Sequence, residues 1–479
     1  MIKFTQDIYI QSFIIGLILA AVYFRLSRRN EPPLVHYRTP IIGHTWRFLT
    51  DCENLILESR KKYGETFSLY VFGQIMTVVG KESTHEIFKK DQEFCFREGI
   101  KMQLPFQHIF SYATSIEKNG RIIREFIIGK LKYLTSRLQK NIDKAMDLYI
   151  GECDEPKVIR DPHKTLSQIV SIPVANIIVG DECYEHEDLL ETFRTLTNAI
   201  FGWNPMSKHR NIIINRIRPV VEKRLYDKKK LGDAWVAPVS YALQYYLDDP
   251  ELAPDLDPNN VNYNYIAEAI GRLVFVSMGT TSGGATRALY DLIDKKKEYW
   301  QVLRQEAQEI NKQCNGNELT SDDIAKMVKL DSFVKESLRL SNGIVALPHK
   351  CISESYYTFE NGYQIPRGRI AILNIIDTNR DVELQGQNPE EFHANRHLER
   401  NSPATRLERN FLVFGGGKHA CPGRALAVNE IKIFLHKVLL KYDVRTETGE
   451  DIPIKKYLGP IPRPIKTSII FEKRKDYVN

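Results

Sequence analysis

The sequence predicts a mainly α-helical protein with small β-sheets (α+β), built as one large domain behind an N-terminal transmembrane helix. The first sign is an uncharged apolar run over residues 8–24. The second is helix-like apolar spacing through much of the chain, which runs longest over residues 265–297. The third is a pair of short stretches, at residues 66–79 and 356–372, that are rich in β-forming residues and punctuated by turn residues.

The N-terminal apolar run is typical of a membrane anchor. Its length lies at the low end of the roughly 17–25 residues that cross a bilayer. Three arginines follow it at once: Arg25, Arg28 and Arg29. Such a cluster favours the cytosolic side, so we expect residues 1–29 to anchor a domain of residues 30–479 there. A cleaved signal peptide is the alternative, but Lys3 and Asp7 make a poor basic leader.

Composition describes an ordinary globular protein. Of the 479 residues, 43% are hydrophobic and 27% charged, and no flexible or charge-block linker divides them. The net charge of +7 is modest, and no basic-aromatic stripe indicates a nucleic-acid partner. The seven cysteines include no C-x-x-C pair, so neither a disulfide framework nor a zinc site is indicated, and a reducing compartment fits.

The other elements follow in order along the chain. A hairpin is expected around residues 72–74, where Phe-Gly-Gln separates two β-rich runs. Helical spacing predicts helices from Lys81 and over residues 121–146, 188–198, 209–228, 265–297, 330–340 and 424–441. Turn residues at 361–362 and 366–368 divide the stretch 356–372 into short strands, and residues 457–461 form another turn.

One cysteine ends a glycine-rich loop, residues 414–423 (FGGGKHACPG). Pro422 is favoured at a first helical position and residues 424–441 continue with helical spacing, which places Cys421 at a helix N-terminus. Backbone N–H groups and the helix dipole would there favour thiolate over thiol. The glycines at 415–417 let a flat partner approach closely. A thiolate held in this way suits an axial iron ligand.

Two simpler interpretations compete for this loop. A lone cysteine is usually a small buried hydrophobe. The Gly-Lys pair also suggests a phosphate-binding loop, but Leu412 stands where that motif needs its first glycine and His419 where it needs Ser or Thr. The order Phe-x-x-Gly-x-x-x-Cys-x-Gly therefore favours the iron ligand.

The loop resembles the cysteine-ligand loop of the cytochrome P450 superfamily of haem-thiolate enzymes. The matching positions are Phe414, Gly417, Cys421 and Gly423, and His419 stands where the family places a basic residue against a haem propionate. The run HACPGR is similar to that of fungal, membrane-bound members. The resemblance implies the P450 fold, haem b with Cys421 as the axial ligand of iron, and an endoplasmic reticulum membrane location with the catalytic domain in the cytosol.

The resemblance also implies further haem contacts. His349 and Lys350 correspond to the family's propionate-binding segment, although Lys350 replaces a commoner arginine and so loses its bidentate grip. The family's usual tryptophan–arginine pair is absent, because Gly120 stands four residues before Arg124. Arg124 itself remains a candidate partner of a propionate.

Gly279 and Thr280 are the expected catalytic residues on the long helix. In the family this segment bulges to admit dioxygen, and the threonine organises proton delivery. The acid that usually precedes the threonine is replaced by Gly279, so a water relay is expected. The alternative is a notch of small residues that serves only packing.

Glu336 and Arg339 lie three residues apart on one helix face. An isolated pair of this kind is usually a solvated surface pair worth under about 1 kcal/mol. The resemblance instead implies that both form a buried triad with Arg396, which supports the cysteine loop. Its role would be structural.

The expected substrate pocket is apolar. Its candidate residues are Phe106, Val276, Val345, Leu347 and Leu458. Residues 102–112 correspond to the loop that roofs this pocket in the family, with plain core packing as the alternative. The helix pair 188–198 and 209–228 corresponds to a mobile lid.

The resulting prediction is a haem-thiolate monooxygenase that inserts one oxygen atom from O₂ into a steroid, terpenoid or fatty-acid-like substrate. Electrons would come from an NADPH-dependent reductase, with cytochrome b5 as a further candidate partner. The docking face is predicted at four basic residues: Lys418, Arg424, Lys432 and Lys437. The rival hypotheses are an isomerase or dehydratase of the same fold that needs no external O₂, and a non-catalytic haem sensor or carrier.

Overall fold

The structure is a computed structural model. It describes residues 15, 16, 19 and 30–476, except for residues 104–108, 113–115, 183, 199–205, 239–241, 316, 342 and 454–455. Its α-helices are α1 (Thr45–Thr50), α2 (Cys52–Tyr63), α3 (Lys81–Lys89), α4 (Phe96–Gln103), α5 (Ile116–Ile122), α6 (Leu131–Tyr149), α7 (Pro162–Val179), α8 (Glu187–Asn198), α9 (Met206–Leu231), α10 (Ala242–Leu247), α11 (Tyr263–Asp294), α12 (Gln301–Gln313), α13 (Ser321–Lys326), α14 (Val328–Ser341), α15 (Ile375–Asn379), α16 (Val382–Gln385), α17 (Arg396–Glu399) and α18 (Arg424–Lys441).

The strands are short. They are β1 (Phe67–Val71), β2 (Gln74–Val79), β3 (Phe94–Cys95), β4 (Lys157–Ile159), β5 (Val345–Cys351), β6 (Tyr356–Thr358), β7 (Gln364–Pro366), β8 (Ile370–Asn374), β9 (Tyr442–Thr446), β10 (Tyr457–Leu458), β11 (Ile461–Pro462) and β12 (Ile469–Lys473). The predicted class, mainly helical with small sheets, is confirmed.

The chain divides into two compact units, and the first contains Met1–Ile100 and Ile344–Asn374. Its main sheet has the strand order β1-β2-β8-β5-β3. β1 and β2 form the predicted hairpin, paired from Phe67 opposite Val78 to Val71 opposite Gln74. The two residues of its turn have φ of 51° and 77°, as a tight hairpin turn requires.

A bulge interrupts the pairing of β5 with β8 between Ala346 and His349. Leu347 lies in this bulge with a φ of 56°, which is uncommon for a residue with a side chain. The bulge therefore redirects β5 at one of the predicted pocket residues.

The second unit, Lys101–Gly343 and Ile375–Asn479, is mainly helical. Its longest element is α11, with 32 residues, which packs against α7, α14 and α18. Close packing is visible at Gly284, where an added Cβ would lie 3.2 Å from both Ile431 Cδ1 and Leu338 Cδ2. The sheet β4-β12-β9 and the hairpin β10-β11 complete this unit.

Three local predictions differ from the structure. The helix predicted over residues 121–146 is interrupted by a π-helical turn (Ile123–Ile127) and a 3₁₀ turn (Ile128–Lys130), and regular helix resumes at Leu131. Pro422 is not the first helical residue, because it lies in a turn two residues before Arg424. The expected bulge at Gly279 is not formed, since α11 is continuous there.

The predicted membrane anchor falls outside the described residues, apart from residues 15, 16 and 19. Across the part of the chain that the structure describes, no helix combines the length and the apolar character needed to span a bilayer. Phe106, a predicted pocket residue, also lies outside the described residues.

Candidate functional site

The cysteine loop is held by its own backbone. Gly415 and Gly417 have φ of 69° and 60°, so two of the three consecutive glycines adopt the left-handed conformation. The amide of Cys421 donates to the carbonyl of Phe414 at 2.8 Å, which closes the loop. Cys421 is half-buried and lies three residues before the start of α18.

The electrostatic setting of Cys421 differs from the prediction. Burial raises the pKa of the Cys421 thiol, while hydrogen bonds from the amides of Gly423 and Arg424 oppose the rise. The effect of burial on the pKa is the larger one, so the helix start does not by itself favour the thiolate. A metal cation at the sulfur would supply the missing driving force, because coordination deprotonates a thiol.

The residues around Cys421 fit a haem bound through its sulfur. The amides of Gly423 and Arg424 lower the pKa of the Cys421 thiol against the effect of burial, as donors near a thiolate ligand would. The nearest atom to an added Cβ at Gly423 is Ile123 Cγ2 at 4.0 Å, so a flat group can approach here. The ring of Phe414 is fixed by an edge contact with Phe411, with 5.9 Å between centroids.

Glu336 forms the centre of a buried cluster. Its carboxylate is fully buried and accepts two hydrogen bonds of 2.8 Å from the Nε and Nη2 of Arg339. It also accepts a bond of 3.1 Å from Arg396 Nε. The structure thus brings the three residues of the predicted triad together. A fourth member, His397, was not predicted, and its Nε2 lies 3.0 Å from Glu336 Oε2.

The arginines of this cluster use their remaining N–H groups on backbone carbonyls. Arg339 donates to Asn379, Pro389 and Glu391, and Arg396 donates to Gln385, Gln387, Asn388 and Glu391. Burial alone would raise the pKa of Glu336, but hydrogen bonds from Arg339 and His397 hold that pKa well below its usual range. We call Glu336, Arg339, Arg396 and His397 the closed cluster.

Two of the four predicted docking residues form ion pairs with carboxylates of this chain. Lys432 is buried and pairs with Asp331 at 3.0 Å, and Lys437 pairs with Asp143 at 3.0 Å. Arg424 is half-buried and donates to the carbonyls of Thr405 and Cys421. The prediction of Lys432 as a docking residue is therefore wrong, and Lys418 remains as an exposed basic residue of the loop.

The middle of α11 presents an exposed stripe on an otherwise buried helix. Val276 is 44% exposed, and Thr280, one turn further, is also exposed. The hydroxyl of Thr280 donates to the Val276 carbonyl at 2.9 Å, so its oxygen is left to accept a hydrogen bond. Gly279 supplies no acid, and the water relay through Thr280 stays a prediction.

A buried carboxyl lies beside this helix and was not predicted. Glu430 of α18 and Thr281 of α11 line a small cavity whose other walls are apolar, formed by Ile142, Ile169, Val170, Pro173 and Phe434 among others. Burial raises the pKa of Glu430 to about 8. Its Oε1 has no hydrogen-bond partner among the described residues.

The remaining predicted site residues lie in varied settings. His349 is buried between the rings of Phe88 and Phe96, with Nδ1 2.7 Å from the Leu347 carbonyl. Lys350 and Leu347 are half-buried. Three others complete the set: Val345 is buried, Leu458 is 56% exposed in the β10-β11 hairpin, and Arg124 is exposed in the π-helical turn. Their roles at haem or substrate stay predictions.

Comparisons with known proteins found a family and several relatives that match most of this chain. The family model for cytochrome P450 matches residues 32–469 in one stretch, which supports a single catalytic domain. The chain is 26% identical to cytochrome P450 monooxygenase 110 of Postia placenta, over 96% of this chain and 97% of that protein. It is 24% identical to (+)-menthofuran synthase of Mentha piperita, over 91% and 92% of the two chains.

Further likenesses agree. The chain is 25% identical to a cholesterol 16,22-dihydroxylase of Trigonella foenum-graecum, over 96% of this chain and 98% of that protein. Among solved structures, retinoic acid-bound cyanobacterial CYP120A1 matches with a TM-score of 0.68 at 19% identity, over 93% of this chain and all of the other. At that identity the structural likeness concerns the fold.

Proposed function

Because the chain belongs to the cytochrome P450 family and is a monooxygenase, we propose that it inserts one oxygen atom from O₂ into a small apolar substrate of the steroid, terpenoid or fatty-acid type. The observation that carries the proposal is the glycine-rich Cys421 loop, closed by the bond from the Cys421 amide to the Phe414 carbonyl, in a chain that matches the cytochrome P450 family over residues 32–469. The substrate class is supported by the apolar candidate pocket residues. Two relatives are named for a menthofuran and a cholesterol reaction, which agrees with an apolar substrate.

The family implies a haem-iron cofactor, which supplies dioxygen activation and oxygen-atom insertion when bound. Cys421 would hold its iron, with Gly423 and Arg424 stabilising the negative sulfur through their amides. Phe414, Gly417 and His419 shape the same loop. The closed cluster would fix the segment that precedes this loop, since it ties α14 to residues 379–397.

Thr280 is proposed to organise the proton supply. Its Oγ1 donates to Val276, so it can accept a hydrogen bond from a pocket water and orient that water. Electrons would come from an NADPH-dependent flavoprotein reductase, with cytochrome b5 as a second donor. Lys418 is an exposed basic residue of the loop and is the candidate contact for an acidic partner.

The test of this function uses Cys421 and Thr280. Cys421→Ser should abolish the Soret shift that a thiolate ligand gives in the reduced, carbon monoxide-treated protein. Thr280→Ala should keep that shift while product per NADPH falls and peroxide release rises, because a positioned proton donor typically contributes about 10²–10⁴ in rate. Thr281→Ala is the matched control, since its side chain points about 100° away.

Three other results would contradict parts of this proposal. A thiolate signature that persists in Cys421→Ser would refute the ligand assignment. Full coupling in Thr280→Ala would refute the proton role. Turnover of a peroxide-bearing substrate without reductase or NADPH would instead support the isomerase or dehydratase hypothesis.

Membrane attachment through residues 1–29 is part of the proposal, with the catalytic domain on the cytosolic side of the endoplasmic reticulum. The support is the apolar run of residues 8–24 and the arginines that follow it. Deleting residues 1–29 should move the protein out of the carbonate-resistant membrane fraction. Unchanged carbonate resistance would locate the anchor elsewhere.

A further inference from the structure

A buried arginine on α11 carries the next inference. Arg272 is 6% exposed, and its Nε and Nη1 are buried without a hydrogen-bond partner among the residues that the structure describes. The ring of Phe110 lies 5.3 Å from its Cζ. A guanidinium keeps its charge at any physiological pH, and a ring contact does not neutralise that charge.

The nearby carboxylate does not satisfy this arginine. Glu268, one turn earlier on α11, is fully buried and accepts a hydrogen bond of 2.8 Å from Arg210 Nη1. Its second oxygen accepts a hydrogen bond of 2.6 Å from the backbone amide of Tyr112. Glu268 therefore already has a cation and an amide as partners, and Nε and Nη1 of Arg272 have no acceptor among the described residues. We call Glu268, Arg210 and Arg272 the open cluster.

The position of Arg272 relates it to the candidate pocket. Arg272, Val276 and Thr280 are spaced four residues apart and so form one stripe along α11. Val276 and Thr280 are the exposed members of that stripe, and Arg272 lies at its buried end. At 1.5 Å per residue, about 12 Å of helix separate Arg272 from Thr280.

We propose that Arg272 binds a carboxylate at one end of an otherwise apolar substrate, whose other end reaches the Thr280 region. A buried charge without partners is unfavourable, and the planar guanidinium fork matches a carboxylate with two parallel hydrogen bonds. The inference rests on the proposed function and narrows its substrate class to an amphipathic acid, such as a fatty or terpenoid acid. The apolar body would lie along Val276.

The experiment compares matched acids and esters on the haem-loaded full chain. The probes are dodecanoic acid with methyl dodecanoate, and retinoic acid with methyl retinoate, and dissociation constants are measured by calorimetry. In the native protein each acid should bind at least about tenfold more tightly than its ester, the gain typical of a hydrogen bond to a charged group. In Arg272→Met this ratio should fall to about one.

Two further variants make the result specific. Arg272→Lys keeps the charge without the planar fork and should restore part of the preference for the acid. Arg218→Met removes an arginine of α9 that stacks on Tyr263 and pairs with Glu222, and it should leave the ratio unchanged. The thiolate signature with carbon monoxide reports, in every variant, that the haem site is intact.

Equal affinity of native protein for acid and ester, or a preference that survives in Arg272→Met, would overturn the carboxylate site. Oxidation of the ester with NADPH in that case would leave the proposed function standing. Loss of the thiolate signature in the native protein would instead overturn the proposed function itself.

Discussion

The closed cluster and the open cluster contain the same charged groups in different arrangements. Each has one fully buried glutamate and two arginines. Around Glu336, both arginines bond to the carboxylate and their other N–H groups reach backbone carbonyls. Around Glu268, Arg210 and the Tyr112 amide bond to the carboxylate, while Nε and Nη1 of Arg272 and Nε of Arg210 have no partner among the described residues.

We infer that satisfaction of the arginine donors, more than net charge, distinguishes the cluster around Glu336 from the proposed carboxylate site at Arg272. Both clusters contain more arginine than carboxylate charge. In the closed cluster, backbone carbonyl oxygens accept from the remaining N–H groups of both arginines, and the unsatisfied buried atom is His397 Nδ1, which has no partner among the described residues. In the open cluster, Nε and Nη1 of Arg272 have no acceptor among the residues that the structure describes.

The largest effect is expected from breaking the closed cluster. Glu336→Ala removes the carboxylate and leaves two buried arginines partly unpaired, so the free energy of unfolding should fall by about 3–5 kcal/mol. Denaturant unfolding and haem occupancy measure the loss. An unchanged unfolding midpoint together with full haem content would show that the cluster does not support the fold.

Glu430 extends the comparison to a buried carboxyl without a charged partner. Its pKa of about 8 lies above the ordinary carboxyl value, so between about pH 5 and pH 8 the native state holds a proton that the unfolded chain releases. Native stability is therefore lost as pH rises through this window. Glu430→Gln removes this titrating group. The free energy of unfolding of the variant minus that of the native protein should therefore increase by about 1 kcal/mol per pH unit in this window.

Urea unfolding of both proteins between pH 5 and pH 9 measures this difference. It should level off above about pH 8, where both states have released the proton. A difference that stays constant across the range would mean that Glu430 is ionised in the native protein.

Arg272→Met should act on stability in the opposite direction to Arg339→Met. Arg272→Met removes a buried charge whose Nε and Nη1 have no partner among the described residues and keeps an apolar stem, so it should raise the ligand-free free energy of unfolding by about 1 kcal/mol. Arg339→Met should lower it by about 3–5 kcal/mol. Denaturant unfolding without added ligand compares the two. If Arg272→Met loses as much stability as Arg339→Met, the open cluster is structural as well.

The smallest effect is expected at a surface pair. Arg218 and Glu222 lie 3.9 Å apart with both side chains about half exposed. Glu222→Ala should change the free energy of unfolding by less than about 0.5 kcal/mol, because exposed pairs of this spacing are weak. A change above about 2 kcal/mol would show that exposure is a poor guide to which charges matter in this chain.

Local sequence signals predicted the elements whose cause is local. The hairpin follows from its Phe-Gly turn, and α11 and α18 follow from helical spacing. The spacing of Glu336 and Arg339 likewise placed both on one face of α14. The π-helical turn at residues 123–127 was missed because its apolar spacing fits a regular helix equally well.

Contacts between distant segments could not be predicted in the same way. Lys432 was expected at the surface, but its partner Asp331 lies 101 residues away in the sequence. His397 and Glu430 have no local pattern that marks them as buried. Arg272 reads as an ordinary helical arginine, and its lack of partners depends on how α11 packs beneath Phe110.

The closed cluster also joins residues that are synthesised at different times. Arg396 and His397 lie 60 and 61 residues after Glu336, and the carbonyl of Pro389 lies 50 residues after Arg339. Residues 336 and 339 therefore leave the ribosome long before their partners exist. A nascent chain that ends before residue 379 has the Glu336–Arg339 pair but lacks the carbonyls of Asn379 and Pro389 that accept from Arg339. Burying α14 at that stage would leave these donors without acceptors, so we expect the helix to stay hydrated until residues 379–397 are made. We therefore expect a chain truncated before residue 379 not to bury α14 stably, because the partners of Arg339 and Glu336 in residues 379–397 are missing.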